Sequence, residues 1–343
     1  MSKINPLFVL AAVLFTVILL IPTMLVLPFM EGRTSGKLAE DIQQPASTPA
    51  AKSPSADSTV EVAVFRTAQS TLEKLPLDEY LIGVVAAEMP AEFELEALKA
   101  QALAARTYYV KQIMGGGGGK LPQGAQVTDS VAHQVFKNRD ELKQLWGSAY
   151  SWKMEKVTEA VKATDGQILT YEGAPIDATF FSTSNGFTEN SEDYWPNAFP
   201  YLRSVESPWD VGTPKYTSQT AMPVSEFERK LGVKIDGNGE IGKITERTAG
   251  NRVAKIEIGG KTLTGKVVRE KLSLRSSDFN WSLKGSQVVI ETKGFGHGIG
   301  MSQYGANGMA AEGKSYKEIV QHYYQGIEIA SAENALTKVM ARK

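Results

Sequence analysis

The chain contains no cysteine, so disulfides, thiolate nucleophiles and thiolate-bound metals are excluded together. Histidine is scarce as well: His133, His297 and His322 are the only three, and no His-Glu-x-x-His spacing joins them, which leaves a conventional zinc site without its ligand pattern. No excess of charge of either sign exists. Thirty-seven basic residues against 38 acidic ones give a formal net charge of −1, which offers no support for a general nucleic-acid or anionic-surface binder. A Ser-His-Asp hydrolase lacks its Gly-x-Ser-x-Gly elbow. The run Gly115 to Gly119 precedes Lys120, but Leu121 stands where a phosphate loop requires Ser or Thr, and no strand leads into it. It reads as a flexible loop, and no internal repeat is evident.

What is present divides the chain. At 343 residues, 42% of them hydrophobic and 22% charged, it is long enough for one elaborate domain or two smaller ones. Leu7 to Met30 is uncharged and almost wholly apolar, and at about 1.5 Å per residue it extends about 36 Å, enough to cross a hydrocarbon core. A cleaved leader has a shorter apolar stretch and a small-residue cleavage site, whereas here Leu27-Pro28-Phe29-Met30-Glu31 follows. Residues 1–31 therefore read as a cytoplasmic tip and a single-pass transmembrane anchor. Lys3 and the terminal amine favour a cytoplasmic N-terminus, which puts the remainder outside the cell membrane. Residues 32–58, rich in Pro, Ala, Ser, Thr and Gln, read as a flexible tether. The extracytoplasmic domain is expected over 59–343, opening with a strand in VEVAVFR.

Leu77, Leu81, Val84 and Val85 recur at helical spacing behind Pro76, with Asp78 and Glu79 in the first turn. Pro90 biases Met89 towards extended backbone, so the helix closes on Glu88. A carboxylate at the negative end of a helix dipole, following Val84-Val85-Ala86-Ala87, holds its proton through dipole repulsion and partial desolvation. That is what a general acid needs, although the same context also fits a solvated helix-end glutamate. The next helix, Glu94 to Met114, is rich in alanine and reads as a buried central element. Lys99 and Arg106 lie two turns apart on one face. They are placed to hold sugar or peptide carboxylates, or to form ordinary helix-surface ion pairs.

Further on, Trp152 to Thr164 reads as a helix and Gln167 to Tyr171 and Ala178 to Ser182 as short strands around Gly173. FSTSNGFTENSEDYW, Phe181 to Trp195, is dense in hydroxyl, amide and aromatic groups, suited to saccharide contact and equally to a polar loop. Residues 214–291 read as a β-rich insertion. VAKIEIGG, KTLTGKVVREKL and GSQVVIET supply strand runs, and Met222 to Leu231 a short helix. The chain then reaches GFGHGIGMSQYGA, Gly294 to Ala306, whose glycines permit close backbone approach. Helices Ala306 to Glu312 and Tyr316 to Tyr324 and a strand around Ile327 to Ile329 complete it. The fold class expected is α+β: mixed helices and short strands, with a helical catalytic core and the β-rich insertion.

LPLDEYLIGVVAAEMPAEFELEALKAQALAARTYY, FFSTSNGFTE and GFGHGIGMSQYGANGMA resemble signature blocks of the SpoIID/LytB family, over roughly residues 60 to 330. The resemblance implies a lytic transglycosylase that cuts peptidoglycan glycan strands already stripped of peptide, during forespore engulfment at the sporulation septum. It implies as partners the amidase SpoIIP and the membrane protein SpoIIM, and it carries the catalytic glutamate onto Glu88. Some members resemble zinc proteins through His and Cys around the block that matches Phe181 to Asn185. This chain has no cysteine there, so no metal and no cofactor is carried over. Ser182, Thr183 and Ser184 transfer as site lining.

A lytic transglycosylase needs only one carboxylate, because the muramic acid C6 hydroxyl replaces the water that hydrolases activate with a second. Glu88 would protonate the leaving oxygen and then accept the C6 hydroxyl proton. Lys99, Arg106, Tyr201, Asp210, His297 and Gln303 are the candidates for holding sugars around it. Two other readings stay open: a noncatalytic glycan-binding activator of an amidase, as the LytB side of the family is described, and a hydrolase pairing Glu88 with Asp210 or Asp193.

Overall fold

The computed structural model describes residues 57–115, 121–235, 240–333 and 335–336. Strand β1 (Glu61–Arg66) buries Val62 and Val64, pairs antiparallel with β2 (Thr71–Pro76) and takes β3 (Val127–Thr128) in parallel on its other edge. Pro76 is also the N-cap of α1 (Leu77–Glu88), a place where its fixed φ and missing N–H do no harm. Leu77, Tyr80 to Val85 and Ala86 are buried along α1. Met89 then leaves the helix with φ −125° and ψ 136°, as a residue before proline does, and Glu88 is the last helical residue.

Helix α2 (Leu95–Met114) matches its expected span to within a residue. Helix α3 (Arg139–Trp146) is an element that the apolar pattern does not announce. Its start is a capping box, with the Asn138 side chain on the Glu141 N–H and the Glu141 carboxylate on the Asn138 N–H, which satisfies two otherwise unpaired donors. Helix α4 (Tyr150–Ala163) leads into β4 (Gln167–Tyr171), which pairs with β5 (Ala174–Pro175). The strand expected at Ala178 to Ser182 shortens to β6 (Phe180–Phe181).

The insertion has an apolar cluster of its own. Strands β7 (Thr217–Pro223), β8 (Lys243–Arg247), β9 (Val253–Ile258), β10 (Lys261–Thr264), β11 (Phe279–Lys284) and β12 (Gln287–Lys293) form two three-stranded antiparallel sheets, ordered β10-β9-β8 and β11-β12-β7. Helices α5 (Val224–Leu231) and α6 (Gly265–Leu272) accompany them, and Phe227, Ile256, Val268, Phe279 and Ile290 fill the space between. Two expectations change here. Met222 is not helical: it pairs with Val288 in the β7–β12 ladder. The KTLTGKVVREKL run is strand only to Thr264, whose hydroxyl accepts the Val267 N–H and starts a helix; the β-branched valines of that run face an apolar core that a helix serves equally well.

The C-terminal part returns to the larger cluster through β13 (Met301–Ser302), α7 (Gln303–Ala311), α8 (Tyr316–Tyr323) and β14 (Glu328–Ser331), the last pairing with β4. Helix α7 begins three residues before its expected start, because Ser302 caps it by accepting the Gly305 N–H. Helix α2 is the axis of this cluster. Its buried Ala97, Ala100, Ala102, Ala104 and Ala105 let α1, α4, β4, α7 and α8 pack directly on it.

Asp57, which composition places in the tether, is fully buried against α2. The expected membrane span and the tether up to residue 56 lie outside the described residues. Among the described residues no helix is long and apolar enough to cross a membrane.

Candidate functional site

Glu88 ends α1 with its carboxylate half-buried, and Oε1 accepts the Val135 N–H at 2.9 Å. Burial pushes its pKa up from the ordinary 4.5, and the Val135 bond opposes this without cancelling it. No other carboxylate enters into that shift. Behind it, Gln303 Nε2 donates to the Glu88 carbonyl at 3.0 Å and to Gln101 Oε1 at 3.4 Å. Gln101 and Gln134 are buried, and the side-chain nitrogen of each has no hydrogen-bond partner. A carboxyl whose pKa is raised by burial and that is held by a backbone N–H suits general acid and base work.

Two close approaches create this arrangement. Gly83 lies in the middle of α1, where a Cβ would collide with the Lys137 carbonyl and the Phe136 ring. Its missing side chain lets the 133–137 segment lie against α1 and present the Val135 N–H to Glu88. Gly83→Ala is expected to lower the melting temperature, by an overpacking cost of about 1–3 kcal/mol. It should also lower Glu88-dependent activity, which parallel thermal melts and rate measurements would show.

The second approach joins the two polar blocks. Met301 and Ser302 pair in parallel with Phe180 and Phe181, and Thr183 and Phe295 exchange both backbone bonds. Asp210 closes the junction, fully buried: Oδ1 accepts Ser302 Oγ at 2.7 Å, and Oδ2 accepts Ser184 Oγ at 2.7 Å and Ser207 Oγ at 2.6 Å. Ser207 Oγ also meets the Tyr323 hydroxyl at 2.7 Å. Burial raises the Asp210 pKa against the pull of these hydroxyls. A Cβ on Gly305 would strike Tyr323 Oη, Ser207 Oγ and Asp210 Oδ2. Gly305→Ala is therefore expected to cost about 1–3 kcal/mol in denaturant unfolding.

The anticipated site residues fall into separate places. Gln303 touches Glu88, and Ser182 is nearby and half-exposed, its carbonyl accepting the Tyr304 N–H. Thr183, Ser184 and Asp210 are fully buried in the junction just described, where the Ser184 hydroxyl and the Asp210 carboxylate bond to one another. Arg106 is likewise enclosed. It is 0% exposed, and its donors are engaged by Asp57 Oδ2 at 2.7 Å, Thr164 Oγ1 and the carbonyls of Gln167 and Val161. Lys99 is held by Glu96 at 2.6 Å, one turn away on its own helix. Tyr201 is buried, its hydroxyl donating to Asp177 Oδ2 and accepting the Asp177 N–H. His297 is packed among Phe181, Tyr194 and Trp195. Burial, then the charges of Arg269 and Arg252, push its pKa down to about 3 and keep it neutral.

The Val135 N–H joins the site without having been marked by any motif. One trace of it exists in the sequence: a mid-helix glycine costs about 1 kcal/mol relative to alanine, so Gly83 implies a close neighbour. Nothing in the pattern names which.

Fold and site together define a class: an α+β protein presenting one desolvated helix-end carboxylate beside a glycine-rich block. The family described as SpoIID, stage II sporulation protein, matches residues 66–171, which include Glu88, and the chain belongs to that family. It is 51% identical over 335 residues to Stage II sporulation protein D of Bacillus subtilis (strain 168), covering 97% of this chain and 98% of that protein. Against Stage II sporulation protein D of Bacillus amyloliquefaciens the identity is 49% over 346 residues, covering 99% and 100%. A more distant relative is the Amidase enhancer of Bacillus subtilis (strain 168), 29% identical over 305 residues, 73% of this chain and 40% of that protein.

Proposed function

We propose that the protein is a peptidoglycan lytic transglycosylase that cleaves the MurNAc–GlcNAc bond of peptide-free glycan strands and leaves 1,6-anhydro-MurNAc ends. The observation that supports this reading is Glu88 itself, held at the end of α1 by the Val135 N–H with its pKa raised by burial. Hydrolysis by retention or inversion generally uses a pair of carboxyl groups flanking the bond. A single group suffices when the substrate supplies the nucleophile. Protonated Glu88 donates to the glycosidic oxygen as the C1–O4 bond breaks. The resulting carboxylate then accepts the C6 hydroxyl proton while that oxygen bonds to C1, which restores the acid. Gln303 fixes the helix end, and the Val135 N–H stabilises the carboxylate after the first proton transfer. The buried position of Asp210, with each oxygen occupied by serine hydroxyls, weighs against it as a water-activating partner.

The protein is further proposed to act from the membrane, anchored through Leu7 to Met30 with its domain outside, beside the amidase SpoIIP, which would supply stripped strands, and the membrane protein SpoIIM. A second reading draws on the relative named an amidase enhancer: a glycan-binding module that stimulates an amidase without cutting the strand itself. Mass spectrometry of peptide-free strands incubated with the protein separates them. Anhydro-MurNAc ends support the transglycosylase, reducing ends indicate hydrolysis, and intact strands alongside stimulated amidase support the enhancer.

A further inference from the structure

The segment that ends in Tyr194 and Trp195 meets the β-rich insertion around a cavity of about 450 Å³, which the Glu88 chemistry does not use. Its lining includes the rings of Tyr194, Trp195 and His297 together with Glu189, Asp193 and Arg252. The His297 ring centroid lies 5.4 Å from that of Trp195 and 6.1 Å from that of Tyr194. Glu189 and Arg252 are each 2% exposed and pair through Oε1 and Nη1 at 3.0 Å. Yet Glu189 Oε2 and Arg252 Nε have no hydrogen-bond partner. A buried ion pair offsets its desolvation only when its remaining lone pairs and protons are also engaged. This one leaves an acceptor and a donor over, on two residues that line the same cavity.

The chemistry of that remainder restricts the ligand. An ammonium group would satisfy Oε2 alone, and a carboxylate or phosphate would satisfy Nε alone. A hydroxyl or an acetamide both donates and accepts. The charged groups of the lining carry both signs, Glu189, Glu192 and Asp193 against Arg252 and Lys266, with the Asp193 carboxyl beside that of Glu189. No strong excess of one charge therefore selects an ion, while the half-buried Trp195 offers a flat apolar face of the kind a pyranose ring stacks on. We infer that the cavity is a noncatalytic saccharide subsite for an N-acetylhexosamine unit, with Trp195 as stacking face and the Glu189–Arg252 pair reading its hydroxyl or acetamide groups. The choice of sugar rests on the glycan reading of the Glu88 site. The cavity would hold the strand while Glu88 acts elsewhere on it.

The test uses the full chain labelled with 5-fluorotryptophan, with the Trp195 resonance assigned through Trp195→Phe, and a β-1,4-linked N-acetylglucosamine tetramer as probe. The Trp195 signal is expected to shift saturably. Trp195→Ala should weaken tetramer binding by about tenfold, and Trp195→Phe, which keeps a ring, much less. A stationary Trp195 signal at high sugar concentration overturns the inference, as does unchanged affinity in Trp195→Ala. A response to a lysine-containing peptide but not to the tetramer overturns the saccharide assignment. Product analysis on the same samples separates the two proposals: strand cleavage without a Trp195 shift removes the subsite and keeps the Glu88 chemistry, and a shift without cleavage does the reverse.

Discussion

Glu88→Gln is expected to abolish strand cleavage, by at least about a thousandfold, while leaving the fold intact. General acid and base catalysis contributes roughly 10²- to 10⁴-fold, and here one group performs both transfers, so its loss falls towards the upper end. The substitution keeps the geometry: glutamine retains an oxygen that accepts the Val135 N–H at the position of Oε1. It removes only the ability to give and take a proton. Intact product formation by a folded Glu88→Gln protein would reassign the chemistry to another group.

The raised pKa of Glu88 sets the sign of two pH effects. Activity that depends on protonated Glu88 should decline as pH rises through its folded pKa, giving the alkaline limb of kcat/KM, and that limb should vanish with the residue. Stability runs the same way. A carboxyl whose folded pKa exceeds its unfolded value contributes stability that is fully present below about 4.5 and is lost as pH rises through the folded pKa. Glu88→Gln should therefore match the wild type in thermal melts near pH 4 and equal or exceed it near pH 8. A site that is stabler without its catalytic group is a common cost of keeping that group desolvated.

Glu88 is legible in the sequence because every signal bearing on it is local: apolar spacing, an acidic first turn and Pro90 all lie within about fifteen residues of one another. The α+β class is legible for the same reason. What escapes is set by partners distant in the chain. The KTLTG run misleads because β-branched residues state that a position is buried and not which element buries it. Helix α3 is hidden although Asn138-x-x-Glu141 is a capping signature, since no long apolar stripe follows it. Ser184 and Asp210 stand out in the sequence, but their mutual contact does not: the hydroxyl and the carboxylate turn inward and bond to one another across 26 residues of chain. Gly305, which permits that contact, carries no sign of it in the sequence.

Arg106 shows most clearly how position in the chain conceals a role, and its replacement carries the largest expected stability effect. From sequence it shares a helix face with Lys99, and both invite the same functional guess. In the structure Arg106 reaches Asp57, 49 residues earlier in a stretch whose composition reads as tether, and ties it to α4 through Thr164 and the Val161 carbonyl. Burial pushes Asp57 up to about 6 despite the guanidinium beside it. Arg106→Ala would remove the guanidinium from that buried carboxylate and from the Gln167 carbonyl, while the Val161 carbonyl would keep Thr164 as donor. Removing one partner of such a buried pair costs about 3–5 kcal/mol, whereas Lys99→Ala, which breaks a partly exposed pair one turn apart, should cost about 1 kcal/mol or less. Denaturant unfolding of the two variants measures the contrast directly. If Arg106 instead held substrate, Arg106→Ala would unfold like Lys99→Ala and lose glycan affinity. A large loss of stability, with binding retained by whatever fraction remains folded, places Arg106 in the frame that carries α2 and, through it, the Glu88 helix.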